Sequence, residues 1–286
     1  MPCKTVLYRL SVPGWEEGRT VRIGLLADLH NNFSPGLIQT IRAGSPDLLV
    51  SAGDMTTSRH AGGPQLFARA YGLLSALAAE FPLYLANGNH EARWKADPGR
   101  AALFEAFRRG LLRKGALFLE NASVTLSLHG VSLRLSGLDL PIEYSVRVFD
   151  PAARKKRRLP EGLLAQLLGP PSAVPSVPQI LLSHDPKDFE ACRAWGADLV
   201  LSGHIHGGLI RLPFAGGLIG PGPELFPPYD RGLFAEDGSL MIVSAGLGMH
   251  SIPLRLFDPP EYVLIDLIGT RLPVLAPKEL SVWTLP

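Results

Sequence analysis

Cysteine is nearly missing: Cys3 and Cys192 are the only two in 286 residues. That excludes a disulfide framework, and neither has a second soft ligand beside it, so a reducing compartment is the expected setting. An excess of charge of one sign is also lacking. Lys and Arg total 28 against 26 Asp and Glu, a formal net charge of +2, so no broad basic face marks a binder of nucleic acid polymers. Long apolar runs are absent. Lys4, Arg9, Glu16, Glu17 and Arg19 interrupt the amino-terminal stretch before it reaches signal-peptide length. No segment approaches the roughly 20 apolar residues of a membrane-spanning helix. A cytoplasmic location is the expectation.

Apolar residues make up 46% of the chain, enough for a large α/β core. Short leucine-rich or β-branched runs at 21–28, 47–53 and 82–88 alternate with helical patterns after Ser34 and Pro35, at 65–80 and at 100–113. This is the rhythm of strand, helix, strand units, and it predicts parallel strands in one sheet. From 123 the texture changes to alternating runs at 123–128 and 131–138 about a His129-Gly130 turn, predicting a hairpin in a second sheet. Further strands are expected at 180–183, 198–202, 240–245 and 262–268, with a helix at 187–194. The expected fold is α/β: a four-layer α-β-β-α sandwich of two mixed sheets in a single domain over 1–286, its core at about 21–268. The segment 141–160, carrying Arg154, Lys155, Lys156, Arg157 and Arg158, reads as a basic loop insertion.

Seven residues able to bind metal fall almost entirely at the ends of these strand-like runs: Asp28, His30, Asp54, Asn89, His184, His204 and His206. Ligands of open α/β sheets sit at the carboxyl ends of strands. Carboxylate, imidazole and amide oxygen together suit a pair of divalent ions, which could bind a phosphate ester and activate water. Any one such Asp or Asn is more often a helix or turn cap. Their combination argues otherwise, because five of the eight histidines, His30, His90, His184, His204 and His206, lie in these segments.

The succession Asp-x-His at 28–30, Gly-Asp at 53–54, Gly-Asn-His-Glu at 88–91, His184 and Gly-His-x-His at 203–206 resembles the calcineurin-like metallophosphoesterase superfamily. The flanking Leu-Ser-Gly-His-Ile-His-Gly-Gly at 201–208, with Gly246, Gly248, Pro253 and Arg255, is similar to a bacterial subgroup. That subgroup contains cell-envelope phosphodiesterases and UDP-2,3-diacylglucosamine pyrophosphatase-like proteins. The chain departs from the pattern at Ile205, where Thr is usual, and at Met55-Thr56-Thr57, where an aliphatic residue and often an acid follow Gly-Asp. Neither departure removes a ligand.

The resemblance implies that Asp28, His30 and His206 hold one ion, that Asn89, His184 and His204 hold the other, and that Asp54 bridges them. It implies hydrolysis of a phosphodiester or pyrophosphate bond by a metal-bridging hydroxide, with Mn²⁺ as the expected metal and Fe or Zn as alternatives. His90 would hydrogen-bond a phosphate oxygen and help to protonate the leaving group. Arg93 and Arg255 are the expected substrate contacts, among rim candidates that include Arg59, His60, Trp94 and His250. The substrate would be a small or lipid-linked phosphate ester, with peripheral contact at the inner membrane face through Arg154 to Arg158. A nucleotide phosphodiesterase, a phosphomonoesterase and a non-catalytic scaffold of the same fold are the alternatives.

Overall fold

Residues 3–58, 65–144, 159–208, 210–212, 216–220, 225–249, 255–271 and 276–279 are described by the structure, a computed structural model. The basic run at 154–158 and the rim candidates Arg59, His60 and His250 lie outside the described residues. In chain order the elements are β1 (Lys4–Pro13), β2 (Thr20–Leu26), α1 (Leu37–Gly44), β3 (Leu48–Ser51), α2 (Gln65–Ala78), β4 (Leu83–Leu85), α3 (Asn89–Ala96) and α4 (Ala101–Leu112). There follow β5 (Leu117–Phe118), β6 (Ala122–Leu128), β7 (Val131–Gly137), α5 (Leu163–Leu168), β8 (Gln179–Leu182), α6 (Phe189–Trp195) and β9 (Leu199–Ser202). The remainder are β10 (Arg211–Leu212), β11 (Gly216–Gly217), β12 (Gly232–Glu236), β13 (Ser239–Val243), β14 (Glu261–Thr270) and β15 (Ala276–Glu279).

The first sheet runs β15-β1-β14-β2-β3-β4-β5 and the second β12-β13-β9-β8-β7-β6. Both are mixed: β2, β3 and β4 are parallel neighbours, as are β8 and β9, whereas β14 is antiparallel to β2 and β6 to β7. Strand side chains alternate faces, and that alternation sorts the core into layers. Val21, Ile23, Leu25, Leu48 and Val50 of the first sheet meet Ile180, Leu182, Leu199, Leu201 and Ile242 of the second. The opposite faces carry Leu26, Leu49 and Leu83 against α1, α2 and α4, and Leu181, Val200 and Met241 against α5 and α6. The result is the expected four-layer α-β-β-α sandwich.

The runs from 21 onward form strands and helices close to their expected places. β1 was not anticipated, and it enters the first sheet parallel to β14. Nor was α3, whose sequence NHEARWKA has no broad apolar stripe. It forms because Glu91 in its first turn reaches back to the Gly88 N–H at 2.9 Å and Trp94 is buried against Phe67, ring centroids 4.7 Å apart. Trp94 is therefore a core residue and not part of a substrate rim.

Candidate metal centre

The carboxyl ends of β2, β3 and β4 in one sheet face those of β8 and β9 in the other, and every expected ligand lies just beyond one of these ends. The strands stop there because the backbone turns sharply. Asp28 (φ 52), His30 (φ 47), Asp54 (φ 54), His204 (φ 72) and His206 (φ 51) all adopt the left-handed region, which side-chain-bearing residues seldom occupy and which costs about 1–3 kcal/mol each. Backbone hydrogen bonds hold the turns together: Asp28 N–H donates to Gly53 O at 3.0 Å and His30 N–H to Asp54 O at 3.1 Å. Two glycines permit the close approach. A Cβ on Gly203 would overlap Asp28 Oδ2, and one on Gly88 would overlap Asp54 Oδ1.

Three groups of side chains converge. In the first, His206 Nε2 and His30 Nε2 lie 3.4 Å and 3.7 Å from Asp28 Oδ1 and 2.9 Å from each other. In the second, His184 Nε2 lies 3.1 Å from Asp54 Oδ2 and 3.2 Å from His204 Nδ1. The third joins His30, Asp54 and His90, whose Nε2 is 3.9 Å from Asp54 Oδ2. One end of the Asn89 amide stands 3.2 Å from His184 Nε2 and 2.8 Å from His204 Nδ1. Presented as oxygen, it completes a third donor beside two imidazole nitrogens; presented as nitrogen, it donates to both. The donor set fits divalent metal. Asp28 Oδ1 is buried with no hydrogen-bond partner, although imidazole nitrogens stand at 3.4, 3.7 and 3.9 Å from it, and a cation among them removes that cost.

The surrounding protein aims these rings. His184 Nδ1 is 2.8 Å from the Ala52 carbonyl, which can only accept, so Nδ1 carries a proton and Nε2 is the nitrogen that faces the site. His204 Nε2 lies 3.6 Å from Asp185 Oδ2, leaving Nδ1 to face Asn89 and His184. Burial opposes charge on Asp54, but His184, His90 and His30 hold its carboxyl well below the ordinary carboxylate range. Burial likewise opposes the His184 imidazolium, yet Asp54 and Asp28 raise it to about 10. At His204 burial prevails over Asp185, and the ring is pushed down to about 4.

Glu91 belongs to the quoted motif, yet sequence reasoning gave it no task. Its buried carboxylate accepts from the N–H groups of Gly88, Asp54 and Thr56 and from Thr56 Oγ1, at 2.8–3.0 Å. A Glu three residues into a helix that begins at a ligand was the available signal. Arg93 lies beside Asn89, its guanidinium 3.2 Å from the other end of that amide. Arg255, expected at the substrate, is turned inward and buried. Its guanidinium donates to the carbonyls of Ala245 at 2.8 Å and Gly248 at 2.7 Å and to Asp258 Oδ2 at 3.1 Å, with His206 Nδ1 at 3.3 Å. Beside the candidate ligands opens a cleft lined by Asn89, His184, His204, Leu138, Tyr144 and Lys187 among others.

Histidines, carboxylates and an amide clustered at the facing strand ends of an α-β-β-α sandwich define a metal-dependent phosphoesterase centre. The chain belongs to the calcineurin-like phosphoesterase family, whose sequence profile matches residues 21–208, and it is a metal-dependent phosphoric ester hydrolase. It is 29% identical over 241 residues to the uncharacterized metallophosphoesterase YkuE of Bacillus subtilis, covering 82% of this chain and 72% of that protein. It is 32% identical over 99 residues to the phosphodiesterase YaeI of Escherichia coli, covering 35% and 36% of the two chains. Over 97 residues it is 36% identical to the UDP-2,3-diacylglucosamine pyrophosphatase LpxG of Chlamydia muridarum, covering 32% and 29%. The match thus spans about a third of each of the last two proteins. Among solved structures, TT1561 of Thermus thermophilus is similar with a TM-score of 0.46 and 12% identity, over 80% of this chain and 91% of that one. Among the described residues no helix is long and apolar enough to cross a membrane.

Proposed function

We propose that the chain is a single-domain, dinuclear phosphoesterase that hydrolyses a phosphodiester or pyrophosphate bond. Asp28, His30 and His206 would hold one divalent ion, Asn89, His184 and His204 the other, and Asp54 would serve both. The supporting observation is the position of Asp54 Oδ2 between the two sets, 3.1 Å from His184 Nε2 and 4.0 Å from His30 Nε2. Two such ions, manganese first with iron or zinc as alternatives for this mixed donor set, would neutralise the phosphoryl oxygens and acidify a water for attack.

The chain's own groups do the rest. Asp28 and Asp54 supply the fixed negative charge, and the left-handed turns aim both carboxylates into one crevice. His90 Nε2 faces the same crevice, where it meets the phosphoryl group, and Arg93 beside Asn89 is suited to a non-bridging oxygen. Arg255 acts as a brace under His206 and Gly248. A lipid-linked pyrophosphate is the substrate favoured by the similarity to the UDP-2,3-diacylglucosamine pyrophosphatase, with Arg154 to Arg158 as the proposed contact to an anionic membrane surface.

The test is hydrolysis of bis(p-nitrophenyl) phosphate by chelator-stripped protein before and after Mn²⁺ is restored, beside Asp54→Asn and with metal content measured. Metal-dependent turnover, two ions per chain, and loss of both in Asp54→Asn are expected. A wild-type level of turnover in Asp54→Asn would sink the assignment, one ion per chain would refute the dinuclear centre, and inert loaded protein would favour a scaffold.

A further inference from the structure

Seven large apolar side chains stand exposed among the described residues, and five of them, Leu212, Leu225, Phe226, Leu256 and Phe257, belong to one small sheet. Leu256 pairs with Ile210, β10 with β11, and Ile219 with Leu225, so four short segments lie side by side across roughly 14 Å, three strand spacings. Backbone hydrogen bonds tie them together: Arg211 N–H donates to Leu256 O at 2.9 Å, Leu218 N–H to Ile210 O at 2.8 Å and Phe226 N–H to Leu218 O at 3.0 Å. Phe226 (φ 51) and Phe257 (φ 57) both occupy the left-handed region, where a phenylalanine is strained. Each ring is more than half exposed, so its packing in the isolated chain does little to offset that strain. Leu225 and Phe257, 64% and 70% exposed, stand out from their surroundings as a ridge and do not wall a pocket.

The ridge is joined directly to the candidate metal centre. Leu256 and Phe257 stand between two buried charged residues. Arg255 reaches His206 Nδ1 at 3.3 Å, and the Asp258 carboxylate packs so closely on Gly207 that a Cβ there would overlap it. At the next strand Gly208 is pressed against the Gly217 backbone in the same way. Phe257 is therefore two residues, at most about 7 Å of chain, from a group that touches a candidate ligand. Arg211 within the sheet is ion-paired with Asp230, and Arg231 with Asp258, so the ridge offers apolar surface and no excess of charge.

We propose, building on the phosphoesterase reading above, that Leu212, Leu225, Phe226, Leu256 and Phe257 form a docking face for a lipid bilayer. The side chains enter the boundary between headgroups and acyl chains, which brings the centre level with lipid phosphates. An apolar ridge beside a centre suited to divalent metal, and so to phosphate, complements a surface in which a plane of phosphates borders hydrocarbon. A single lipid molecule would leave most of these rings in water. A second copy of the chain, meeting this one about a twofold axis, would set ridge against ridge with no recess for either. Docking of this kind needs no net charge, unlike attraction through Arg154 to Arg158.

The test is co-sedimentation of the full chain, with and without Mn²⁺, with vesicles of phosphatidylcholine alone or mixed with phosphatidylglycerol, at low and high salt. Hydrolysis of bis(p-nitrophenyl) phosphate in solution is measured beside it. Phe226→Asn and Phe257→Asn introduce a residue that tolerates the left-handed backbone, so the fold and turnover of the soluble ester should be kept. The wild type should bind neutral vesicles and stay bound at high salt. Each Asn variant should lose roughly tenfold in vesicle affinity, the scale of one phenylalanine moved from water to hydrocarbon, and the double variant more. Undiminished binding in the double variant would overturn the proposal. So would binding confined to anionic vesicles and abolished by salt, which would assign the contact to basic residues. Equal affinity for monomeric dihexanoyl phosphatidylcholine would point to a single-chain site, and a dimer that the Asn variants dissolve, with vesicles unbound, to a second copy; either would overturn it as well. Protein that docks on vesicles yet turns over no ester would overturn the phosphoesterase reading and leave the docking face standing, whereas active protein that ignores vesicles would do the reverse.

Discussion

The Glu91 carboxylate grips the Asp54 amide N–H at 2.8 Å, so a residue on α3 sets the backbone of a proposed ligand that follows β3. The same oxygen accepts from Gly88 N–H at 2.9 Å, the residue before Asn89. One buried carboxylate thus couples the loops that carry two proposed ligands. Glu91→Gln turns an amide group toward donors and leaves at least one unsatisfied, a cost of about 1–3 kcal/mol. The expected outcome is lower stability together with weaker metal binding, read by chemical denaturation and by metal titration. Unchanged metal affinity would show that the grip on Asp54 has no bearing on the centre.

Gly203 lies against Asp28 Oδ2, the atom that accepts the His204 N–H at 2.9 Å. Gly203→Ala forces that carboxylate to move, with a packing penalty of about 1–3 kcal/mol. Metal content should fall while the circular dichroism spectrum keeps its native shape. Full metal occupancy in Gly203→Ala would contradict the close fit.

Arg255 separates two roles by kinetics. A substrate contact would show itself in KM, but a guanidinium spent on Ala245, Gly248 and Asp258 should show itself in stability. Arg255→Met leaves Asp258 paired with Arg231 alone of these two cations and is expected to cost about 3 kcal/mol, as loss of one partner of a buried pair does. The KM of the metal-loaded variant should stay at the wild-type value, and a large rise in KM at unchanged stability would restore the substrate role.

Glu261, whose N–H donates to the Gly246 carbonyl at 3.0 Å, gives a pH signature of its own. Burial raises its carboxyl from the ordinary 4.5 to about 7, against the pull of Arg231. Within that window the folded chain keeps a proton that the unfolded chain has released, so stability falls as pH rises through it. The full effect is about 3 kcal/mol. Glu261→Gln should therefore gain on the wild type between pH values near these two limits, measured by denaturant midpoints. Parallel curves for the two proteins would refute the raised value.

Most of the fold was legible because its strands are short, apolar and closed by glycine or a polar turn, as at Gly53 and Gly88. β1 was not, since in KTVLYRLSVP the charged Lys4 and Arg9 interrupt the apolar run. That these side chains would gather was legible because metal chemistry needs particular side chains in a particular order. Their supports were not: Ala52 acts on His184 through a carbonyl and Ser58 on His90 through an N–H, groups that every residue other than proline carries, so no residue type announces them. Arg255 illustrates the converse. Its charge made it conspicuous, while its burial depends on contacts with Ala245 and Asp258 that no local pattern encodes.

Each half of the proposed centre draws on both layers of strands. Asp28 and His30 follow β2 in the first sheet while His206 follows β9 in the second, and Asn89 of the first stands with His184 and His204 of the second. A cation held between them acts as a rivet across the sandwich. Separating the sheets then requires breaking coordination as well as parting the apolar seam. With the proposed metal bound, unfolding would become one cooperative event whose midpoint follows free metal concentration, because a ligand that binds only the folded chain stabilises it by mass action.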